Sequence, residues 1–510
     1  MASSWLPLGE PRGTTSRRSS LALVVVILLL RLPSWYEPRW YSDQGLFSTV
    51  GMALARGVPL YRGIFDNSPP GIYWIYALLY RLGGAQHQQL LAELAASAAV
   101  LASCLLVLRL GAWLLAPRGA LLAAFSTAIV LSLPTLDGDL FNVEIAGLPF
   151  FLGSLRLCLT RSRLALFGAG CLLGAAVIVR PSYALDGLAL IVPLLSGPKP
   201  ATRVAIFAGG GLSAALGAGL GLAATGSLTT YLTVIMPAEH AYLVWANGGD
   251  LYGLLIRLGL LFLLAAWLWR RAESPTARLL AIWVPASLAG SSLTPRELTH
   301  YCHEAVPALS LALAYLLARR RLSLAVPLQM ASLILALELL LVLPAQESSR
   351  LHGQAPPPAL AHNFGYAQLP AYYVNWFQYA SGGETRARYS ALFPGQAAET
   401  ASEAAALRRL AAGRPLRLVV LGDQPWIYQK SGLLPAGPYI TTNTAFWRVP
   451  AAPGALRALV ASGCAGLLVY VSGPGDFRPE IAAAGYVAIS GTPWPTYLSP
   501  RPEGCAGITP

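Results

Sequence analysis

Residues 40–74 read WYSDQGLFSTVGMALARGVPLYRGIFDNSPPGIYW, and what surrounds them decides the fold. They follow an apolar run, Leu21 to Leu30, which is itself preceded by Arg12, Arg17 and Arg18. That order resembles a secretory signal. No small-x-small cleavage site follows, however, and many more apolar runs come later, so the run reads as an uncleaved first span. Within the quoted stretch, Gln44 to Arg56 reads as a helix closed by Gly57. Residues 70–82, PGIYWIYALLYRL, are aromatic-rich and too short to cross a bilayer, which fits helices lying at a membrane interface. The whole first loop, about 35–87, is long for a connection between spans.

Composition agrees. The chain has 510 residues, 55% hydrophobic and 12% charged, with mean hydropathy +0.54. A soluble domain carries about 25% charged residues, so lipid must serve as part of the solvent. The net charge of +13 raises nucleic acid as a partner. The basic residues nevertheless sit in short clusters between apolar runs and form no continuous basic face, which excludes that class. Nearly all are arginine; Lys199 and Lys430 are the exceptions. Six cysteines are too few and too scattered for a disulfide scaffold or a zinc site. Cys104, Cys158 and Cys171 lie in apolar runs, whereas Cys464 and Cys505 could pair if the C-terminal region lies outside the cytoplasm.

A span needs about 20 apolar residues. About eleven are expected on that criterion, centred near 20–34, 88–110, 119–136, 140–159, 164–180, 183–197, 202–224, 251–269, 277–293, 301–318 and 322–343. With the N-terminus in the cytoplasm, alternation places Arg109 and Arg118, Arg161 and Arg163, Lys199 and Arg203, Arg270, Arg271 and Arg278, and Arg319 to Arg321 inside. The acids Asp43, Asp66, Asp137, Asp139, Glu144, Glu239, Asp250, Glu297 and Glu304 then fall outside. This positive-inside asymmetry predicts a multi-pass protein of the cell membrane with an extracytoplasmic C-terminus. Past the linker-like HGQAPPP the character changes. A helix at 400–412 and strands at 417–421, 466–471 and 485–490 predict a small α/β domain. The expected division is 1–344, a transmembrane module, and 345–510, an extracytoplasmic α/β domain. No inverted repeat of the transporter kind is visible.

Asp43 by itself reads as a loop acid capping the helix that follows. Its surroundings add to that. The run Asp43, Gly57-Val58-Pro59-Leu60-Tyr61, Asp66-Asn67-Ser68-Pro69-Pro70, Tyr73-Trp74 resembles the first extracytoplasmic loop of the GT-C glycosyltransferases. The branch it is most similar to holds the protein O-mannosyltransferases and lipid A aminoarabinose transferases. Phe141-Asn142-Val143-Glu144 with Pro149 resembles the family's second acidic site. Thr299-His300-Tyr301 with Pro307 resembles its late "HY…P" signature, and GDQPWIYQKSGLLPAGPYI (422–440) resembles a string of the outer domain in many bacterial members. Two departures stand out: Gln44 replaces a second acid beside the first, and Asn67-Ser68 stand where a lysine often precedes the prolines. A donor phosphate must therefore find its positive charge elsewhere.

The resemblance implies an α-helical polytopic membrane fold and an inverting transferase. Such an enzyme moves a sugar from a polyprenyl-phosphate donor to an acceptor hydroxyl on a glycan, lipid or protein. The departing phosphate is already a good leaving group, so one carboxylate base suffices. Asp43 is the expected base and Glu144 the second acid of the site, although Glu144 serves equally as a cap or ion-pair partner. Arg180, Arg296 and Tyr301 are the expected phosphate contacts. A divalent cation would offset the phosphate charge, with Asp66 and His240 as ligands by analogy. Tyr61 belongs to the matched loop. His300 and Glu304, four apart, are expected to pair on one helical face, and Asp137 and Asp139 to be solvated. Two other readings stay open: a transporter or flippase of lipid-linked glycans, and a catalytically silent assembly subunit.

Overall fold

The computed structural model of the protein describes residues 17–160, 162–294, 298–320, 329–336, 364–442, 449, 452–472 and 475–501. It is mostly helical. Among the described residues, five helical stretches are long and apolar enough to cross a membrane: Arg17–Tyr36, Pro70–Leu114, Pro200–Ala224, Tyr252–Arg270 and Thr299–Ala318. Shorter apolar helices accompany them at Pro117–Val130, Arg163–Val179 and Tyr183–Leu195. Leu220 on the third stretch and Phe262 on the fourth are 71% and 73% exposed. Apolar side chains so displayed face lipid tails rather than water. The expected span at 322–343 lies largely outside the described residues.

The described residues divide into two compact units. One comprises Met1–Ser34, Glu93–Ala218 and Leu243–Leu369; the other comprises Trp35–Ala92, Gly219–Tyr242 and Pro370–Pro510. In the second unit the C-terminal region therefore packs with the first loop.

The first unit is held by close helix contacts and by buried arginine. In Arg163–Val179, Gly170 and Gly174 form a GxxxG pair. A Cβ at Gly170 would strike the Phe207 carbonyl, and one at Gly210 the Phe167 carbonyl. Small residues thus let two backbones touch, the usual device where lipid removes the hydrophobic drive between helices. Arg31, 1% exposed, ends the first helix and donates to Ser97 Oγ at 3.0 Å and to the carbonyls of Gly138 and Asp139. Glu93 lies 3.9 Å away. A charge removed from water persists only with partners of this kind. Arg203, expected among the topology-setting charges, is buried instead. Its guanidinium caps the carbonyls of Cys158 and Leu194 at 2.9 and 3.3 Å, a usual way to satisfy the last turn of a helix.

In the second unit the helix Ser42–Ala55 begins two residues before the expected start and stops before Gly57 (φ +86). The helix Pro70–Leu114 breaks at Gly84, whose φ of 60° and ψ of −170° suit glycine alone. The C-terminal sheet has strands β1 (Leu418–Leu421), β2 (Leu467–Tyr470), β3 (Val487–Ile489) and β4 (Thr496–Leu498) in the order β1-β2-β4-β3. β1 and β2 are parallel; β4 runs antiparallel to both β2 and β3. Helix Ala452–Ala461 covers the sheet through Leu456 and Val460, packed among Val419, Leu421 and Leu468. Every residue of β1 is buried, which is why LVVL reads as an unbroken apolar run. Cys464 is disulfide-bonded; Cys505, its expected partner, lies outside the described residues.

Candidate active site

The first-loop residues come together within the second unit. Asp43 sits in the first turn of Ser42–Ala55, half-buried. It is not the cap: the N-cap is Tyr41, which makes no side-chain capping bond. An acid one turn inside a helix start is instead favoured by the helix dipole. The Tyr41 hydroxyl lies 3.4 Å from Asp43 Oδ2. This helix start is clamped from the 422–440 string. Trp426 Nε1 donates to the Tyr41 carbonyl at 2.7 Å, Ser42 Oγ donates to Asp423 Oδ1 at 2.7 Å, and Thr49 Oγ1 donates to the Pro425 carbonyl at 2.9 Å. Gly422 makes this possible. Its φ of +141° turns the chain out of β1, and a Cβ there would lie 2.8 Å from that of Val471.

Beyond the helix, Tyr61 occupies left-handed backbone space at φ 62, a conformation that costs a non-glycine residue about 1–3 kcal/mol. The loop fixes it: Tyr61 N–H donates to the Ile64 carbonyl at 2.8 Å and its hydroxyl to the Ser68 carbonyl at 2.7 Å. Burial pushes the Tyr61 phenol well above its usual range, with Tyr231, Asp66 and Glu239 adding to the effect. It therefore stays a neutral donor. Asp66 is buried and accepts from the Tyr73 hydroxyl, which in turn accepts from Ser68 N–H at 3.1 Å. Asn67, standing at the position of the family's lysine, donates its amide to Glu239. His240, one residue further, is exposed on the helix Met236–Ala246. Among the described residues no three His, Cys, Asp or Glu side chains gather to hold a metal.

The second cluster lies within the first unit. The helix Arg163–Val179 ends at Arg180 because Pro181 follows, pushing Arg180 to φ −149 and ψ 115. Its guanidinium is held between two carboxylates: it donates to Glu144 through Nη1 and, through Nε, to Glu304 Oε2 at 3.1 Å and Ser182 Oγ at 2.7 Å. Ser182 Oγ in turn donates a hydrogen bond to Glu304 Oε2 at 2.6 Å. The Tyr301 ring centroid lies 5.1 Å from Arg180 Cζ, a cation–π contact. The acids are 0% exposed and Arg180 is 12% exposed. Gly290 leaves the room for this: a Cβ there would strike the Glu304 carboxylate.

Two expectations are corrected here. Asp137 and Asp139 are buried rather than solvated. Asp137 accepts from Thr299 Oγ1 and lies 3.1 Å from His300 Nδ1. His300 and Glu304 do not pair with each other: the segment Thr299–Ala305 is a 3₁₀ helix, and its three residues per turn carry positions four apart to different sides. Arg180, an expected phosphate contact, carries two glutamate partners. These were invisible to sequence reasoning because they come from positions 36 and 124 residues away. Arg296 lies outside the described residues.

No family model matches the chain, and no curated protein matches it by sequence. Solved structures do. The fold is the GT-C membrane fold that the motif resemblance implied. It is similar to the crystal structure of ArnT from Cupriavidus metallidurans bound to undecaprenyl phosphate, with TM-score 0.58 at 14% identity, covering 94% of this chain and 98% of that one. The apo state of the same ArnT gives TM-score 0.55 at 14% identity, covering 95% and 98%.

Proposed function

We propose that this chain is a glycosyltransferase that moves a sugar from a polyprenyl-phosphate carrier to an acceptor hydroxyl at the extracytoplasmic face of the membrane, with inversion. The observation that carries the reading is Asp43: a half-buried carboxylate seven residues past the first span and clamped from a separate part of the chain. The near full-length likeness to ArnT, a protein crystallised with undecaprenyl phosphate, supports the carrier. In this mechanism Asp43 takes the proton of the acceptor hydroxyl as that oxygen attacks the anomeric carbon. The bond from that carbon to the phosphate oxygen breaks, and the polyprenyl phosphate leaves with the electron pair, needing no general acid.

Tyr301, Arg180 and Arg296 are the proposed phosphate contacts. Since two carboxylates already offset Arg180, its main part in the proposal is to hold Tyr301 in place. Glu144 holds Arg180, and Tyr61 and His300 brace the loops on which Asp66 and Tyr301 stand. A divalent cation would draw on Asp66 and His240 together with the donor's own oxygens; transfer undiminished by EDTA removes it from the proposal.

The decisive experiment is transfer by purified protein in nanodiscs supplied with undecaprenyl-phosphate sugars. Asp43→Asn lowers turnover about 10²–10⁴-fold, the usual worth of a positioned base. Full activity in that variant would falsify the assignment of the base. Movement of the lipid-linked sugar across vesicles without any transfer product would replace the transferase by a flippase.

A further inference from the structure

Arg386 bonds to the short segment of the second unit that carries Arg39, and Lys430 neighbours the glutamine to which Arg39 is bonded; among the described residues no acid pairs with these three cations. Arg386 donates to the carbonyls of Tyr36 and Glu37 and lies 5.3 Å from the ring centroids of both Tyr379 and Tyr389. Two residues along the same segment, Arg39 donates to Gln429 Oε1 and to the Ala85 carbonyl, each at 2.7 Å. Among the described residues Lys430, the neighbour of Gln429, reaches only the Ala397 carbonyl, at 3.4 Å. Every one of these acceptors is neutral. Glu37, the acid on the segment itself, has its carboxylate engaged by Trp40 Nε1 at 2.9 Å and by the Tyr372 hydroxyl at 2.5 Å. Asp423 is bonded to Ser42. Among the described residues, no carboxylate forms an ion pair with Arg39, Arg386 or Lys430.

We propose that Lys430, Arg39 and Arg386 form a binding site for a phosphate-type oxyanion, separate from the sugar-transfer chemistry. Arg39 and Lys430 are half-buried and Arg386 is exposed; like charges so placed repel one another, and a bound anion would relieve that repulsion. Guanidinium edges and a lysine ammonium suit a tetrahedral phosphate with several acceptor oxygens. Arg39 lies three residues along the chain beyond Tyr36, the end of the first stretch long and apolar enough to span a membrane. The source of the phosphate is a lipid headgroup or the free ion.

The protonation of the lysine supports the site. Burial, then Arg39 and Arg386, hold the Lys430 ammonium down to about 7. Burial and Arg408 hold Arg39 down to about 10. Lysine is rare here: of 36 basic residues only Lys199 and Lys430 are lysines. Where its neighbours are arginines that keep their charge, this one cation can shed a proton when the anion is absent and regain it when the anion arrives.

The test follows Lys430 directly in the full-length protein. The lysines are ¹³C-methylated and titrated by NMR in phosphatidylcholine nanodiscs, with the signals assigned by Lys199→Arg. The Lys430 midpoint is expected to rise by about one unit or more on adding inorganic phosphate, or on replacing part of the lipid with phosphatidylglycerol. A rise with inorganic phosphate assigns the free ion, and a rise only with phosphatidylglycerol assigns the headgroup. Lys199, exposed, reports the general surface potential. Arg39→Gln is expected to abolish the rise. A Lys430 midpoint unmoved by both additions, one that moves no more than that of Lys199, or one whose rise survives Arg39→Gln, overturns the site. None of these readings depends on whether the chain transfers sugar.

Discussion

The indole nitrogen of Trp426 donates to the backbone carbonyl of Tyr41 across 2.7 Å, joining two positions 385 residues apart in sequence. The same carbonyl accepts from Gly45 N–H at 3.1 Å in the first turn of the helix that carries Asp43. Trp426→Phe keeps the ring and removes one donor while the carbonyl retains its other partner. The expected cost in stability is modest, about 0.5–1.5 kcal/mol. The expected loss in turnover is larger, because a base displaced by about 1 Å can cost about 100-fold. Thermal unfolding and transfer rates on one preparation separate the two; equal, small changes in both would mean that the clamp does not position Asp43.

Gly45 sets the depth of that clamp. A Cβ there would lie 2.8 Å from Trp426 Cδ1, too close to be absorbed without moving the indole. Gly45→Ala is expected to lower the unfolding temperature and to disturb tryptophan fluorescence. Its effect should shrink in a Trp426→Phe background, where the smaller ring yields. Additive effects would place the two residues out of contact.

The helix of Asp43 was legible because its apolar stretch ends at a glycine, and β1 because LVVL is apolar throughout. β4 was not expected. Its residues Thr496–Leu498 follow a run of Pro and Gly, and only pairing with β2 and β3 makes them a strand. Asp43 and Glu144 could be nominated from motif order and Arg180 from its place at a span end, yet sequence said nothing of their partners. Hydropathy placed Asp137 and Glu304 at the ends of spans, but not whether the chain there turns out to water or folds back inward. Arg180 shows that gap: nothing beside its proline announces the two glutamates, 36 and 124 residues away, that bond to it.

The Arg180 cluster predicts strong coupling. Arg180→Gln leaves Glu144 and Glu304 buried without their cation, and losing one partner of a buried pair costs about 3–5 kcal/mol. Gly290→Ala attacks the same cluster sterically, since its Cβ would strike Glu304 and lie 3.4 Å from Ser182 Cβ. Overpacking of this kind costs about 1–3 kcal/mol. Glu304→Ala should absorb most of the Gly290→Ala penalty in a double-mutant cycle measured by unfolding in detergent. Strict additivity would deny the contact.

Lys430 predicts how stability changes with pH in phosphate-free buffer. Its folded midpoint, about 7, lies below the ordinary lysine value of 10.5. Between those values the unfolded chain binds the proton and the folded chain does not, so this residue makes stability rise with pH across the window. Below about 7 both states are protonated and the burial penalty is fully present; above about 10.5 it is gone. Lys430→Met removes the charge while keeping an unbranched apolar stem. That variant is expected to be more stable than the parent near pH 6 and to show a flatter rise between pH 7 and 10. Phosphate should stabilise the parent at pH 6 and leave the variant unmoved. If the two proteins keep parallel pH profiles, with or without phosphate, Lys430 is neither strained by its arginine neighbours nor relieved by an anion.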